Sequence, residues 1–145
     1  MLYRSLVAAL VPPYQPDANY HGTSAAVEFG VRVLGVQRVV VLGHAQCGGV
    51  RALLEGVPAE ASDFVQPWLD IARPVLDAAP RDVQGDARLH RCEEAVVRLS
   101  LANLMTIPWL AEAVAAGRLE LQGFHFGIQT GALTRLDGEH FVPVA

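Results

Sequence analysis

The sequence predicts an α/β domain: a mostly parallel β-sheet flanked by helices, with antiparallel strands at its C-terminal end. Three observations predict it. The run "RVVVLG" (38–43) is apolar at successive positions, as a strand inside a parallel sheet is. Helical periodicity lies on both sides of it: Ala25, Phe29, Val33 and Leu34 share one face before it, and Ala95, Val96, Leu99 and Ala102 form a stripe after it. The tail, from Leu119 onward, breaks into short β patterns separated by turn signals.

The 145 residues suit one domain spanning 1–145. A chain of this length buries roughly 70% of its unfolded surface. A hydrophobic content of 52% and a mean hydropathy of +0.29 exclude disorder. The formal net charge is −4 and no basic patch is interleaved with aromatics, so no nucleic-acid partner is expected. No apolar run approaches the roughly 20 residues of a membrane span, so no membrane partner is expected either. After Arg4, "SLVAALV" is short for a secretory leader, and no small-x-small cleavage site follows. Two cysteines are too few for a disulfide scaffold and suit reduced thiols in a cytoplasm.

The elements follow in order. "LVAALV" reads as a strand ended by Pro12 and Pro13, and "QPDANYHG" as a loop. Thr23 or Ser24 can cap the helix "SAAVEFGVRVLG", which Gly35 stops. The strand "RVVVLG" comes next, then a short helix "VRALLEG" stopped by Gly56. Residues 57–63 form a loop. "FVQPWLDIARPVLDAA" is helical, with a bend or break at Pro74. "APRDVQGD" is a loop, "ARLHRCEEAVVRLSLANLMT" the longest helix, and "WLAEAVAAG" a further short one after Pro108. The strands "LELQGFHF", "ALTRL" and "HFVPV" close the chain, with hairpin-type turns at "TGA" and "DGE". Alternation changes phase at Gly123, which predicts a bulge or a close backbone approach there.

The stretch "VVVLGHAQCGG" (39–49) carries the chemistry. A loop leaving a strand and entering a helix lies at the C-terminal edge of a sheet, where open α/β folds place ligands. The helix start offers positive partial charge, which suits an anionic sulfur. His44 and Cys47 can converge on a borderline-soft cation such as Zn²⁺, with Gly43, Gly48 and Gly49 shaping the loop. On spacing alone H-x-x-C supplies two donors, whereas a tetrahedral site needs three or four, so a plain structural turn stands beside the metal reading.

The run "GTSAAVEFGVRVLGVQRVVVLGHAQCGGVRALLEG" resembles the middle of a β-class carbonic anhydrase domain. Gly43, His44, Cys47, Gly48 and Gly49 match that family's zinc-loop pattern G-H-x-x-C-G-G position for position. "LVPPYQPDANYHGTSAA" resembles the family's linker, and "SLANLMTIPWLAEAVAAGRLELQGFHFGIQTGALTRL" its closing helices and strands. The resemblance implies a zinc-dependent reversible hydration of CO₂ to bicarbonate, with His44 and Cys47 as metal ligands. It also implies a homodimer or higher homo-oligomer.

The sequence departs from the family in one respect. The family pattern includes an upstream strand ending in C-x-D-x-R, whose Cys is a further zinc ligand and whose Asp and Arg form a catalytic dyad. No C-x-D-x-R occurs in these 145 residues. Aligned on "LVPPY", the segment Ser5 to Ala9 replaces the family's "R-N-x-A-N"-like sequence. The resemblance therefore predicts a sheet lacking its central first strand, between "LYRSLVAAL" and "RVVVL", and an impaired lyase with no catalytic dyad. Exposed strand edges predict pairing with a second copy or aggregation. The alternative is a non-catalytic family member that retains only the oligomerisation surface.

Other candidates read as structural. His90 and Cys92 form H-x-C at a helix start, where i, i+2 side chains diverge. His21 is a loop residue, His125 a strand residue and His140 a turn neighbour; Asp17 and Glu28 read as loop and helix-face residues. A nucleophilic role for Cys47 lacks both a G-x-C-x-G elbow, since Ala45 takes the first glycine position, and a phosphate-type loop, since Arg51 comes too early.

Overall fold

The computed structural model describes residues 6–80 and 82–144. Helix α1 (Gly22–Glu28) runs directly into a wider π-type turn, Phe29–Val33. Strand β1 (Arg38–His44) and helix α2 (Gly48–Glu55) follow. Short helices α3 (Val65–Leu69) and α4 (Arg73–Ala78) are joined by a 3₁₀ turn, and the long α5 (Gly85–Met105) leads to α6 (Pro108–Ala115). Strands β2 (Glu120–Phe126), β3 (Leu133–Asp137) and β4 (His140–Pro143) close the chain.

The strands form one mixed sheet in the order β1-β2-β3-β4. β1 and β2 are parallel, with Val41 opposite Gly123 and Gly43 opposite His125; the other two pairings are antiparallel. The α/β class, the flanking helices and the antiparallel end agree with expectation. Gly138, at φ +59°, makes the β3–β4 turn expected at "DGE".

α5 packs across the sheet on two glycines. A Cβ on Gly43 would lie 2.7 Å from Val97 Cγ2, and one on Gly123 would lie 2.9 Å from both Val97 Cγ1 and Leu101 Cδ1. The phase change at Gly123 is thus a close approach, not a bulge, because the β1–β2 register runs through it unbroken. The core falls on both sides of α5. Leu10, Val50, Leu69, Leu89 and Val96 fill one cluster, and Val41, Val97, Leu104, Leu110 and Leu119 the other.

Four expectations need correction. "LVAALV" forms no strand among the described residues: Val7–Ala9 is a 3₁₀ turn, with Ala8 and Ala9 at φ +60° and +53°. Side chains of α5 take up its backbone groups instead of a ladder. Ser100 Oγ accepts from Val11 N–H (3.1 Å) and donates to the Ala9 carbonyl (2.9 Å), and Asn103 Nδ2 donates to the Val11 carbonyl (2.8 Å). Residues 1–5 of the longer expected strand lie outside the described residues.

Secondly, α1 begins at Gly22 with no capping side chain, and Thr23 is buried rather than a cap. Thirdly, the stripe Phe29, Val33 and Leu34 faces outward, at 50%, 65% and 53% exposure. The inward side is that of Thr23, Val27, Gly30 and Val31, and Gly35 (φ +63°) ends the turn as expected. Fourthly, β1 is not covered on both faces. Val40 and Leu42 are half-exposed, and among the described residues β1 is the terminal strand of the sheet. The break near Pro74 falls just before it, since proline suits the first turn of α4.

Candidate metal centre

The loop between β1 and α2 is held from three sides. Ala45 N–H extends the parallel ladder by donating to the Phe126 carbonyl (2.8 Å), and Arg51 N–H closes the first helical turn on the Cys47 carbonyl (2.9 Å). Between them Gln46 takes φ +59°, a conformation uncommon for a non-glycine residue. Its side-chain oxygen is held by Arg51 Nη2 at 2.7 Å. Gly49 is required sterically, because a Cβ there would meet Val7 Cγ1 at 2.7 Å and Ala8 N at 3.0 Å. Gly48 is not, as nothing lies within 4 Å of its Cβ position.

His44 is half-buried, and its Nδ1 lies 2.9 Å from the carbonyl oxygen of Ala45. A carbonyl only accepts, so Nδ1 carries the proton and Nε2 keeps its lone pair. Metal-ligating histidines are commonly oriented by such a bond. Cys47 is buried and unpaired at the N-cap of α2. The donor chemistry of His44 and Cys47 fits zinc. Among the described residues, neither belongs to a group of three side chains able to share one ion.

Cys47 N–H donates to Glu93 Oε1 at 2.9 Å, a contact between the loop and the middle of α5. Glu93 is 2% exposed. Its other oxygen, Oε2, accepts from His125 Nε2 at 3.1 Å, and His125 is itself buried. His90 Nδ1 lies 3.8 Å from the same oxygen. Burial works against ionisation of Glu93, but the hydrogen bonds from His125 and Cys47 N–H, with the nearby histidines, outweigh it and hold the carboxyl below the ordinary glutamate range. Burial pushes the Cys92 thiol up; Arg88 opposes this and Glu93 reinforces it.

The sequence singles out the loop but not the group behind it, His90, Glu93 and His125. His90 and Cys92 do diverge: Cys92 faces the core while His90 is half-exposed. The available signal was H-x-x-E, since His90 and Glu93 at i, i+3 share a helix face. His125 could be joined to them only by the fold.

The family model described as carbonic anhydrase matches residues 2–133. The chain belongs to the β-carbonic anhydrase family. Among curated relatives, it is 32% identical to "Beta carbonic anhydrase 5, chloroplastic" of Arabidopsis thaliana over 124 residues, covering 83% of this chain and 40% of that one. The solved structure of the beta-carbonic anhydrase CcaA is 28% identical, with a TM-score of 0.85, covering 95% of this chain and 69% of that one. A tetrameric beta-carbonic anhydrase from the filamentous ascomycete Sordaria macrospora is 25% identical, with a TM-score of 0.77, covering 96% and 67%. The chain spans 40% to 50% of the length of the curated relatives it matches. β-Carbonic anhydrases are zinc enzymes, and among the described residues the side chains grouped closely enough to share one ion are His90, Glu93 and His125.

Proposed function

We propose that the chain supplies the His44–Cys47 part of a zinc centre for the reversible hydration of CO₂ to bicarbonate, a lyase reaction. The observation that carries this reading is the orientation of His44. Its Nδ1 is committed to the Ala45 carbonyl, which leaves Nε2 as the donor, three residues before the Cys47 helix start. Zinc, when bound, supplies a water nucleophile active near neutral pH. His44 and Cys47 hold the ion, Gly43 and Gly49 keep the loop in place, and Glu93 fixes the Cys47 amide. The remaining donors, and the group that orients the reacting water, come from outside these two residues.

A measured CO₂ hydration rate above buffer that disappears in His44→Ala supports the reading; no rate in folded, zinc-loaded protein refutes it. A second reading is a non-catalytic family member. It is favoured by the absence, among the described residues, of a third side chain grouped with His44 and Cys47. The same assay separates the two.

Self-association belongs to the proposal. Leu42, Val40 and Val33 are exposed on and near the terminal strand, a surface that a second copy would cover. One structural neighbour is described as tetrameric, which supports a homo-oligomer. A cytoplasmic location rests on the two unpaired cysteines. No helix among the described residues is long and apolar enough to cross a membrane.

A further inference from the structure

We infer that His90, Glu93 and His125 form a second divalent transition-metal site, separate from the His44–Cys47 loop. The three come from two elements: His90 and Glu93 from one face of α5, and His125 from β2. Their ligand atoms all lie within 4.8 Å of one another. Zinc bonds of about 2.0–2.2 Å at tetrahedral angles require donor separations of roughly 3.3–3.5 Å. The separations from Glu93 Oε2 are 3.1 Å to His125 Nε2 and 3.8 Å to His90 Nδ1, on either side of that range. Two of the three donors are nearly inaccessible, and the third, His90, is 54% exposed, so an ion has a route in from the surface.

The surroundings of His90 support ligation independently. Its outer nitrogen, Nε2, lies 3.4 Å from Glu94 Oε1, and Glu94 Oε2 is held by Arg98 Nη2 at 3.3 Å. A carboxylate that accepts a hydrogen bond from a histidine's outer nitrogen orients the ring for ligation through the inner one, and Glu94 stands within reach of that role. Here that inner nitrogen, Nδ1, is the one on the Glu93 side. Two imidazoles and one carboxylate form the donor set of open zinc sites with three protein ligands. The same donors accept Co²⁺ and Ni²⁺. Binding at His125 Nε2 requires the proton that Glu93 now accepts to move to the other ring nitrogen, Nδ1. Glu93 keeps its other oxygen on the Cys47 amide, which links the site mechanically to the loop.

Cobalt(II) titration of the full chain tests this, because a thiolate ligand adds an intense near-ultraviolet charge-transfer band that a His₂Glu site lacks. In His44→Ala/Cys47→Ser, uptake of about one Co²⁺ per chain without the thiolate band is expected. Adding His90→Ala abolishes it, and Glu94→Gln weakens it by about 10- to 100-fold, the usual effect of losing such a partner. No saturable uptake by the folded double variant, or uptake indifferent to His90→Ala, overturns the assignment. Should the double variant not fold, the wild-type loop is left intact. His90→Ala then removes the cobalt spectrum that lacks thiolate character, and persistence of that spectrum overturns the assignment. The thiolate band reports the loop separately, so failure of one site is distinguishable from failure of the other.

Discussion

Glu93 Oε1 accepts the backbone N–H of Cys47 at 2.9 Å, across 46 residues of sequence, and so ties the middle of α5 to the loop that carries the candidate zinc ligands. The carboxylate is buried, and its other oxygen is held by His125. Removing it strands two buried donors at once.

Glu93→Ala is therefore expected to destabilise the fold by about 2–5 kcal/mol, since two buried donors each lose their acceptor at about 1–3 kcal/mol. Glu93→Gln keeps an acceptor for Cys47 N–H and costs less. Urea unfolding midpoints at unchanged slope measure both. A loss under about 1 kcal/mol for Glu93→Ala would show that the contact does not hold the loop.

The glycines of the site separate into two kinds. Gly43→Ala and Gly123→Ala push a methyl against Val97 and are expected to cost about 1–3 kcal/mol each, as overpacking does. Gly48→Ala meets nothing and lies at the helix start, so it is neutral or stabilises by up to about 1 kcal/mol. Val97→Ala combined with Gly43→Ala should recover part of the loss, and a double-mutant cycle reads the coupling. Strict additivity would contradict the packing described.

These glycines show how much of the architecture was legible in the sequence. The strand "RVVVLG", the turn at "DGE" and the long helix follow from local pattern, and Gly123 announced itself by a break in alternation. The segment "LVAALV" misled because its apolar run says nothing of Ser100 and Asn103, which bind its backbone from a distant helix. The face with Phe29 and Val33 misled for a related reason. Periodicity locates an apolar stripe but does not say whether the stripe meets the chain's own core. At the site, His44 and Cys47 were legible as neighbours in sequence. Glu93 was hidden by the expectation that a buried position carries an apolar side chain, and His125 by its distance along the chain.

Acid should loosen the 17–21 loop. Asp17 is held at about 2, below its ordinary 3.8, chiefly by the hydrogen bond with His21 and by the Asn19 amides. A carboxyl lowered in the folded state contributes stability that is fully present above pH 3.8 and lost as pH falls towards about 2. NMR titration of the Asp17 carboxyl is expected to show the low value in the wild type and a rise in His21→Ala. An unchanged value in the variant would assign the effect elsewhere.

The uncovered face of β1 predicts concentration-dependent association. Leu42→Lys places a charge on that surface and should reduce the mass seen by sedimentation, with little change in stability. A wild-type chain that is monomeric at all concentrations would contradict a partner on this face.

The most direct measurement is zinc per folded chain, by elemental analysis of protein purified without chelator in the His90→Ala background, where the second site is disabled. About one zinc per chain, lost on Cys47→Ser, is the predicted result, with further donors completing a site of at least three ligands. Folded protein that carries no zinc in that background would contradict a metal role for the His44–Cys47 loop.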